Sequence, residues 1–573
     1  MTDPADGHGV HLATDDGGWD YLPYPKLAEQ ARRAGGELVR AGVRPGDGVA
    51  MLMPTGFPLL ATLFGTWLAG ATPSLVLPPS FQSREEYVPH VAAVLRQAQP
   101  ALVAACDGYE EPVAAAMAAA GRPGRPWSYR AEAGEITPRP PANLAVLQFT
   151  SGSTGRPRGV RATWENLEAN TGLLHRLLGW QRHDAMASWL PLYHDMGLIG
   201  ALLTTVRAQG DLWLMQPEQF VRRPQQWLSC LQPGRAVHTM SPAFTFAYLA
   251  RRIRPDDLAG LDLSQWRTAT IGAETIDPAA LASFTRLARP AGFSSRVFRP
   301  GYGLAEATLA VTVASRPGQG TLVRTDPGTL RFGEAVKVCE VTQLGDDLLP
   351  AGEGWLIGHG RPPAEDGTGV SVVDVDGAAL PDGWLGEIAV TGPSVTGGYH
   401  GGEPGGSARF ENGRLLTGDA GFIYGDDLFV LGRMGDSLKV KGTSVYVEDL
   451  DVAVAAATGL YRSRLAVVGA PGAGQAGVVL FAEADPGGEW ADVGRAVLHR
   501  RLGPQFPVTV VAGGRGLIRK TSSGKPRRRE MWQILQAGGL PPGTVTDGPA
   551  ARSGGPEPGL ETVGPGPGNA GHA

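Results

Sequence analysis

Alanine-rich segments with helical spacing alternate with short apolar, β-branched runs from about residue 25 to residue 310, and this alternation dictates α/β architecture with largely parallel sheets. Leu27, Ala28, Ala31, Leu38 and Val39 form one helical face. Val49–Met53 then reads as a strand buried on both faces, and Leu59–Ala69 as the helix that follows it. From 311 to about 432 the pattern changes to short strands, such as Val370–Val375 and Gly386–Val390, punctuated by Gly and Pro, which predicts a β-rich subdomain. The pattern from 427 to 442 predicts two strands, DLFVLGR and LKVKG, around Met434, Gly435 and Asp436. Beyond them the periodicity predicts a helix at 447–457, strands at 464–469 and 477–482, a helix at 489–502, a strand at 506–512 and a helix near 527–537.

A chain of 573 residues exceeds what one hydrophobic core organises. The expected arrangement is a large N-terminal α/β domain over 1–433 (two α/β sheets plus the β-rich subdomain) and a small α+β domain over 434–540. A Pro/Gly-rich tail over 541–573, almost without bulky apolar residues, is expected to be disordered.

Charge and cysteine usage narrow the function. The net charge of −5 excludes a global pull toward nucleic acid or anionic membrane. Cys106, Cys230 and Cys339 lie far apart and have neither zinc nor redox spacing, so reduced thiols are expected. The segment MTDPADGHGVHLATDDGG is acidic and lacks an apolar signal region, and the expected location is cytoplasmic. Phe57–Leu77 is the most apolar stretch. Pro58 and Pro73 interrupt it, leaving about fourteen residues between them, too few to span a bilayer. Six lysines (26, 337, 439, 441, 520 and 525) stand against 45 arginines, so any lysine chemistry comes from a short list.

Glycine motifs mark the candidate site. TSGSTGRPRGV (150–160) lies between two predicted strands, Leu144–Phe149 and Gly159–Ala162, with Thr163 as the N-cap of a later helix. A Walker A loop runs GxxxxGK[ST] straight into a helix, and this loop does not. Thr150, Ser151, Ser153 and Thr154 supply hydroxyls, while Gly152 and Gly155 let backbone N–H groups turn inward as an anion nest; a Ser/Gly surface hairpin is the alternative. Gly472–Gly477 matches GxGxxG but is followed by a β-run (GVVLFAEA), so it reads as a hairpin turn.

Four further stretches add chemistry. GYGLAEATL (301–309) offers Tyr302, which can stack on a purine or fill a core, with Gly303, and Glu306, which can bind Mg²⁺ or be solvated. LLTGDAGF (415–422) places Asp419 after a tight turn, suited to two ribose hydroxyls. LGRMGDSLKVKG (431–442) ends a strand at Arg433, and RKTSSGKPRRR (519–529) contains Lys525 in a basic run without interleaved aromatics.

These five stretches, in this order, resemble the adenylate-forming superfamily of acyl-CoA synthetases, adenylation domains and luciferases over roughly residues 20–540. SWLPLYHDMGLIG (188–200), LDLSQW (261–266) and GYGLAEATL resemble the fatty-acyl-AMP ligases most. So does the long segment between Leu309 and GHGRPP (358–363), near which those ligases carry an insertion that disfavours use of CoA. The resemblance implies ATP and Mg²⁺ as reactants, a carboxylic acid as substrate, and an acyl carrier protein as acceptor, with CoA as the alternative. A degenerate member performing one half-reaction is a further alternative.

By the same resemblance, Thr150–Gly155 grip the β- and γ-phosphates, and Gly272, Ala273, Glu274 and Tyr302 contact adenine beside Gly303. Glu306 holds Mg²⁺, Asp419 and Arg433 hold the ribose, and Lys525 bridges the carboxylate and the α-phosphate. His194 lies by the acyl entrance, and Phe244, Phe246 and Tyr248 line the acyl tunnel, with plain core packing as the other reading of these aromatics. The adjacent pair His194–Asp195 is not expected to chelate a metal alone. Three features depart from the pattern: Arg158 stands where the family loop carries lysine, Gly435 occupies the presumed hinge, predicting a looser one, and SPAFTFAY (241–248) differs from the usual ligase stretch at the acyl pocket.

Overall fold

The computed structural model describes residues 3–79, 84–132, 134–150, 157–314, 320–326, 329–344, 354–362, 367–402, 408–434, 437–440, 443–470, 477–521 and 524–548. The chain divides into two compact units, Met1–Ala453 with Lys520–Lys525, and Val454–Arg519 with Pro526–Ala573.

Among the described residues, the first unit is organised by an eight-stranded sheet. Its order is Ala310–Val313, Phe298–Gly303, Thr268–Gly272, His238–Pro242, Met186–Ser188, Leu212–Leu214, Gly9–Ala13 and Trp19–Pro23. The six central strands run parallel and both edges are closed by antiparallel strands, as the alternating pattern requires. A second parallel sheet joins Thr72–Leu75, Gly48–Leu52 and Leu102–Ala105. The apolar stretch from Phe57 is a buried helix, Phe57–Leu68, followed by the strand Thr72–Leu75. That helix packs on Tyr24–Arg40 at a glycine crossing: a Cβ on Gly65 would meet the Gly35 nitrogen at 2.7 Å.

The β-rich part is antiparallel. Thr321–Thr325 pairs with Val338–Gln343 and Trp355–Ile357. Gly369–Val373, Gly386–Thr391, Arg414–Tyr424, Arg409–Glu411 and Asp427–Arg433 form a second sheet. A hairpin of Ser437–Val440 and Thr443–Tyr446 follows, the second strand of which the sequence pattern did not announce.

One buried polar knot braces the central sheet. His238 contacts Thr268 Oγ1 through Nδ1 (2.7 Å) and Asp184 Oδ2 through Nε2 (2.9 Å), and Arg267 donates twice to the same carboxylate. Burial holds the His238 ring below its ordinary pKa despite the Asp184 carboxylate.

In the second unit Leu465–Ala470, Gly477–Ala482, Val508–Ala512 and Val545–Asp547 form one sheet with helices Trp490–Leu502 and Arg528–Gln536. The strands flanking the GxGxxG run pair antiparallel, Ala470 opposite Gly477, while residues 471–476 lie outside the described ones. The expected disordered tail needs correction at its start. Val545–Asp547 adds antiparallel to Val508–Ala512, because a β-branched pair fills an open sheet edge and Arg495 pins Asp547 at 2.5 Å. Residues 549–573 lie outside the described residues.

Candidate active site

The carboxyl ends of four neighbouring parallel strands deliver the motifs to one rim, the place where open α/β sheets bind ligands. Phe298–Gly303 leads into Glu306, Thr268–Gly272 into Ala273 and Glu274, His238–Pro242 into Phe244, and Met186–Ser188 into His194.

The hydroxyl-rich loop joins strands Leu144–Thr150 and Arg158–Thr163, with Thr150 opposite Arg158. Ser151, Gly152, Ser153, Thr154 and Gly155 lie outside the described residues. Thr163 caps the next helix, Trp164–Leu178, in a reciprocal box with Asn166. That helix ties three segments together. Asn166 Nδ2 donates to the carbonyls of Pro393 (2.8 Å) and Val395 (3.2 Å). Asn170 is fully buried; its Nδ2 donates to Ala310 O (2.8 Å) and Ala307 O (3.2 Å), and its Oδ1 accepts from Ala310 N at 3.1 Å.

Glu306 sits in the turn so held, a 3₁₀ turn over Ala305–Ala307. Thr308 closes it in a strained γ-turn at positive φ (φ 68°, ψ −56°), with Leu309 N donating to Ala307 O at 2.8 Å and its own hydroxyl donating to Ser394 O at 2.6 Å, a backbone of the kind that collects at functional sites. Gly303 precedes the turn at a bulge where a Cβ would lie 1.9 Å from Leu309 O, so no other residue fits. Glu306 is 9% exposed, and its Oε1 accepts from the Tyr399 hydroxyl at 2.5 Å. Among the described residues no basic side chain pairs with it and no group of three or more acidic, His or Cys ligands forms. A buried carboxylate with one hydroxyl partner fits Mg²⁺, which takes one or two carboxylates and fills its remaining sites with water and phosphate.

Asp419 stands on Arg414–Tyr424, directly across from Arg433 on Asp427–Arg433. Arg433 Nε reaches its Oδ1 at 2.9 Å while Arg433 Nη1 donates to Thr417 O at 3.0 Å. The Tyr302 hydroxyl donates to Asp419 Oδ2 at 2.6 Å. Burial first, then the Asp419 charge, raises the Tyr302 hydroxyl far above its ordinary pKa, so it stays a donor. Its ring lies in an apolar cluster with Leu304, Val311, Ile388 and Val390. Both Asp419 oxygens thus have fixed partners, and each retains a lone pair for a further hydroxyl. On the neighbouring strand end Ala273 is exposed and left-handed (φ 66°), and Glu274 is half-buried.

His194 Nδ1 contacts Asp195 Oδ1 at 2.7 Å, and Asp195 also accepts from Met196 N at 2.7 Å. Burial pushes the Asp195 carboxyl up; the His194 ring, the Met196 N–H and the Lys525 charge outweigh it and hold it below the ordinary value. A π-helix, Met196–Leu203, follows directly, a rare form often found at functional sites. Helix Phe244–Arg252 separates the three aromatics. Phe246 is fully buried among Trp266, Phe284 and Phe298, whereas Phe244 stays 38% exposed against Trp189 and Tyr248 donates to Val221 O at 2.7 Å.

Lys525 falls in the segment that groups with the large unit. Its backbone closes a tight loop with Thr521, N to Oγ1 at 3.1 Å and O from Thr521 N at 2.8 Å. The residue as a whole is exposed, but its ammonium end is crowded by protein. Lost hydration and the Arg433 charge lower its pKa, opposed by Glu274, Asp419 and Glu448. Gly435 lies outside the described residues. Tyr399, Asn166 and Asn170 escaped sequence reading. GGYH is a short polar turn, and a helix asparagine gives no outward sign of which carbonyls it will meet.

The AMP-binding enzyme family model matches residues 2–400, and the chain belongs to this family. A Caulobacter vibrioides relative named "Putative acyl-CoA synthetase" is 33% identical over 537 residues, covering 90% of this chain and 91% of its own. The long-chain-fatty-acid–AMP ligase FadD26 of Mycobacterium marinum is 32% identical over 480 residues, 78% of each chain. A solved structure from a study of fatty acyl-adenylate ligases of E. coli and L. pneumophila superimposes with a TM-score of 0.78 at 25% identity, over 93% of this chain and 95% of that one. The protein is therefore an adenylate-forming ligase-like enzyme with a large α/β domain and a small second domain. No described helix is long and apolar enough to cross a membrane.

Proposed function

We propose that this enzyme activates a fatty or related carboxylic acid with ATP, releasing pyrophosphate, and passes the acyl group to the phosphopantetheine thiol of an acyl carrier protein. The observation that carries the reading is the gathering of Glu274, Asp195 with its partner His194, and the Asp419–Arg433 pair around Lys525 in one unit, with Glu306 in the turn that follows the Asp419-bound Tyr302. The FadD26 relative, an AMP ligase by name, supports it.

The substrate carboxylate is ionised at neutral pH and needs no general base. Its oxygen bonds to the α-phosphorus, the bridging oxygen takes the breaking P–O pair, and pyrophosphate leaves. Two anions meet, so the site must place positive charge where negative charge builds. Lys525 supplies a compact point charge. Bound Mg²⁺, held by Glu306, would neutralise phosphate oxygens. Asp419 accepts the ribose hydroxyls, fixed by Arg433 and Tyr302, and Ala273 and Glu274 border the base. The phosphate grip of Thr150–Gly155, the entrance role of His194, and the tunnel roles of Phe244, Phe246 and Tyr248 belong to this proposal. So do a small domain of 434–540 and its turning about Gly435 between the two half-reactions.

A CoA-dependent ligase is the second reading, favoured by the name of the Caulobacter relative. Incubating the protein with ATP, Mg²⁺, an acid panel, and either CoA or a holo-carrier protein, then weighing the products, decides the acceptor. Acyl-carrier product supports the proposal, and efficient acyl-CoA formation overturns it.

A further inference from the structure

Arg158 replaces the lysine expected in the phosphate loop, and the structure gives it a specific seat. Its guanidinium carbon lies 5.4 Å from the centroid of the Tyr399 ring, and its Nη2 is buried without a hydrogen-bond partner among the described residues. The same tyrosine donates its hydroxyl to Glu306 Oε1 at 2.5 Å. Tyr399 is itself anchored to the strand that carries Arg158: Val160 and Tyr399 form a β-bridge, His400 N donates to Gly159 O at 2.7 Å, and Arg161 N to Gly398 O at 3.1 Å. One ring therefore touches both the foot of the hydroxyl-rich loop and the buried carboxylate.

We propose that Tyr399 is a positioning residue that sets two groups at once: its hydroxyl occupies Glu306 Oε1, leaving Oε2 for a divalent cation, and its face seats Arg158 so that the free Nη2 meets a polyphosphate oxygen. The proposal rests on the adenylation reading above. It explains why arginine stands at 158. A planar guanidinium lies flat on an aromatic face while still presenting an edge to phosphate, and the compact, strongly hydrated ammonium of lysine does not present both. A buried donor without a partner is uncommon in native proteins and calls for an explanation, which a bound phosphate oxygen beside the loop supplies at Arg158. Supports of this kind around a metal-binding carboxylate typically change metal affinity 10–100-fold when removed.

The test is equilibrium binding of ATP with Mn²⁺ as a spectroscopic stand-in, following loss of the free Mn²⁺ signal by electron paramagnetic resonance. It uses the full chain without acid, so turnover does not enter. Tyr399→Phe keeps the ring and removes the hydroxyl. It should raise the Mn²⁺ concentration for half-saturation in the presence of ATP by about tenfold or more and leave metal-free ATP binding unchanged. Arg158→Gln should weaken ATP binding about tenfold with or without Mn²⁺. Arg158→Lys, which retains charge but not the stack, should recover only part of that loss. A purely structural role would lower the thermal midpoints of the variants without moving either binding constant, and that result overturns the proposal. If the unaltered protein binds ATP and Tyr399→Phe shows the same Mn²⁺ dependence, the positioning role is wrong while the adenylation reading stands. If the unaltered protein binds no ATP, both fall.

Discussion

Asn170 gives the sharpest test of how the Glu306 turn is held. The side chain is fully buried and its amide is used three times, by Ala307 O, Ala310 O and Ala310 N. The pattern fixes its orientation, since two carbonyls must face the NH₂ and one N–H must face the oxygen. Replacement by alanine deletes three hydrogen bonds and leaves buried backbone groups without partners. At roughly 1 kcal/mol for each bond, Asn170→Ala should cost about 3 kcal/mol. Asn170→Asp is the more telling change, because it keeps the acceptor for Ala310 N but turns a carboxylate oxygen toward two carbonyls. It should be less stable than the alanine variant at pH 7 and regain stability as the pH falls and the carboxyl takes a proton. Urea unfolding followed by tryptophan emission reads both effects. Because Ala307 adjoins Glu306, both variants should also need more Mg²⁺ for half-maximal pyrophosphate release. An aspartate variant as stable as the alanine variant at pH 7, or an alanine variant with unchanged midpoint and Mg²⁺ demand, would refute the argument.

The remaining expectations concern catalysis, backbone and pH. Lys525→Ala should reduce acid-dependent pyrophosphate release by about 10²–10³-fold with little change in thermal midpoint, measured by a coupled phosphate assay. Gly303→Ala, whose Cβ would meet Leu309 O at 1.9 Å, should cost about 2 kcal/mol or more through forced backbone movement, visible as a lower urea midpoint and lost activity. Burial pushes His359 down to about 4 and His238 below its ordinary value. The unfolded chain therefore takes these protons first, and the stability they contribute is complete above about pH 6.5 and falls as pH drops. At pH 5 His359 alone should cost about 2 kcal/mol, and His359→Leu should flatten the urea midpoint between pH 7.5 and 5.

The sequence made the alternation of elements readable because punctuation and periodicity agreed. Helix 447–457 is observed as Val447–Thr458, and strand 477–482 as Gly477–Ala482. Strands of three or four residues escaped, Thr443–Tyr446 and Val545–Asp547 among them, because a partner strand rather than local pattern defines them. At the site, the residue types were legible but their partners were not. Nothing in GYGLAEATL says that the Tyr302 hydroxyl meets Asp419, 117 positions away, or that Tyr399 meets Glu306, 93 away. The aromatics of SPAFTFAY did carry a usable signal. Positions 244 and 248 share a helical face that 246 cannot, and it is Phe246 that enters the core.

The π-helix Met196–Leu203 has a consequence for how such an enzyme can change. Its wider turn carries surplus residues, so deleting one would tighten it to α-helical winding and rotate the preceding chain by ~100° about the axis. His194 and Asp195 stand at that end. The His194–Asp195 pair can therefore be re-aimed by a change in chain length alone, with every flanking side chain kept. Under the entrance role proposed for His194, variation in insertions and deletions, rather than in residue identity, is the form in which altered selectivity would be written.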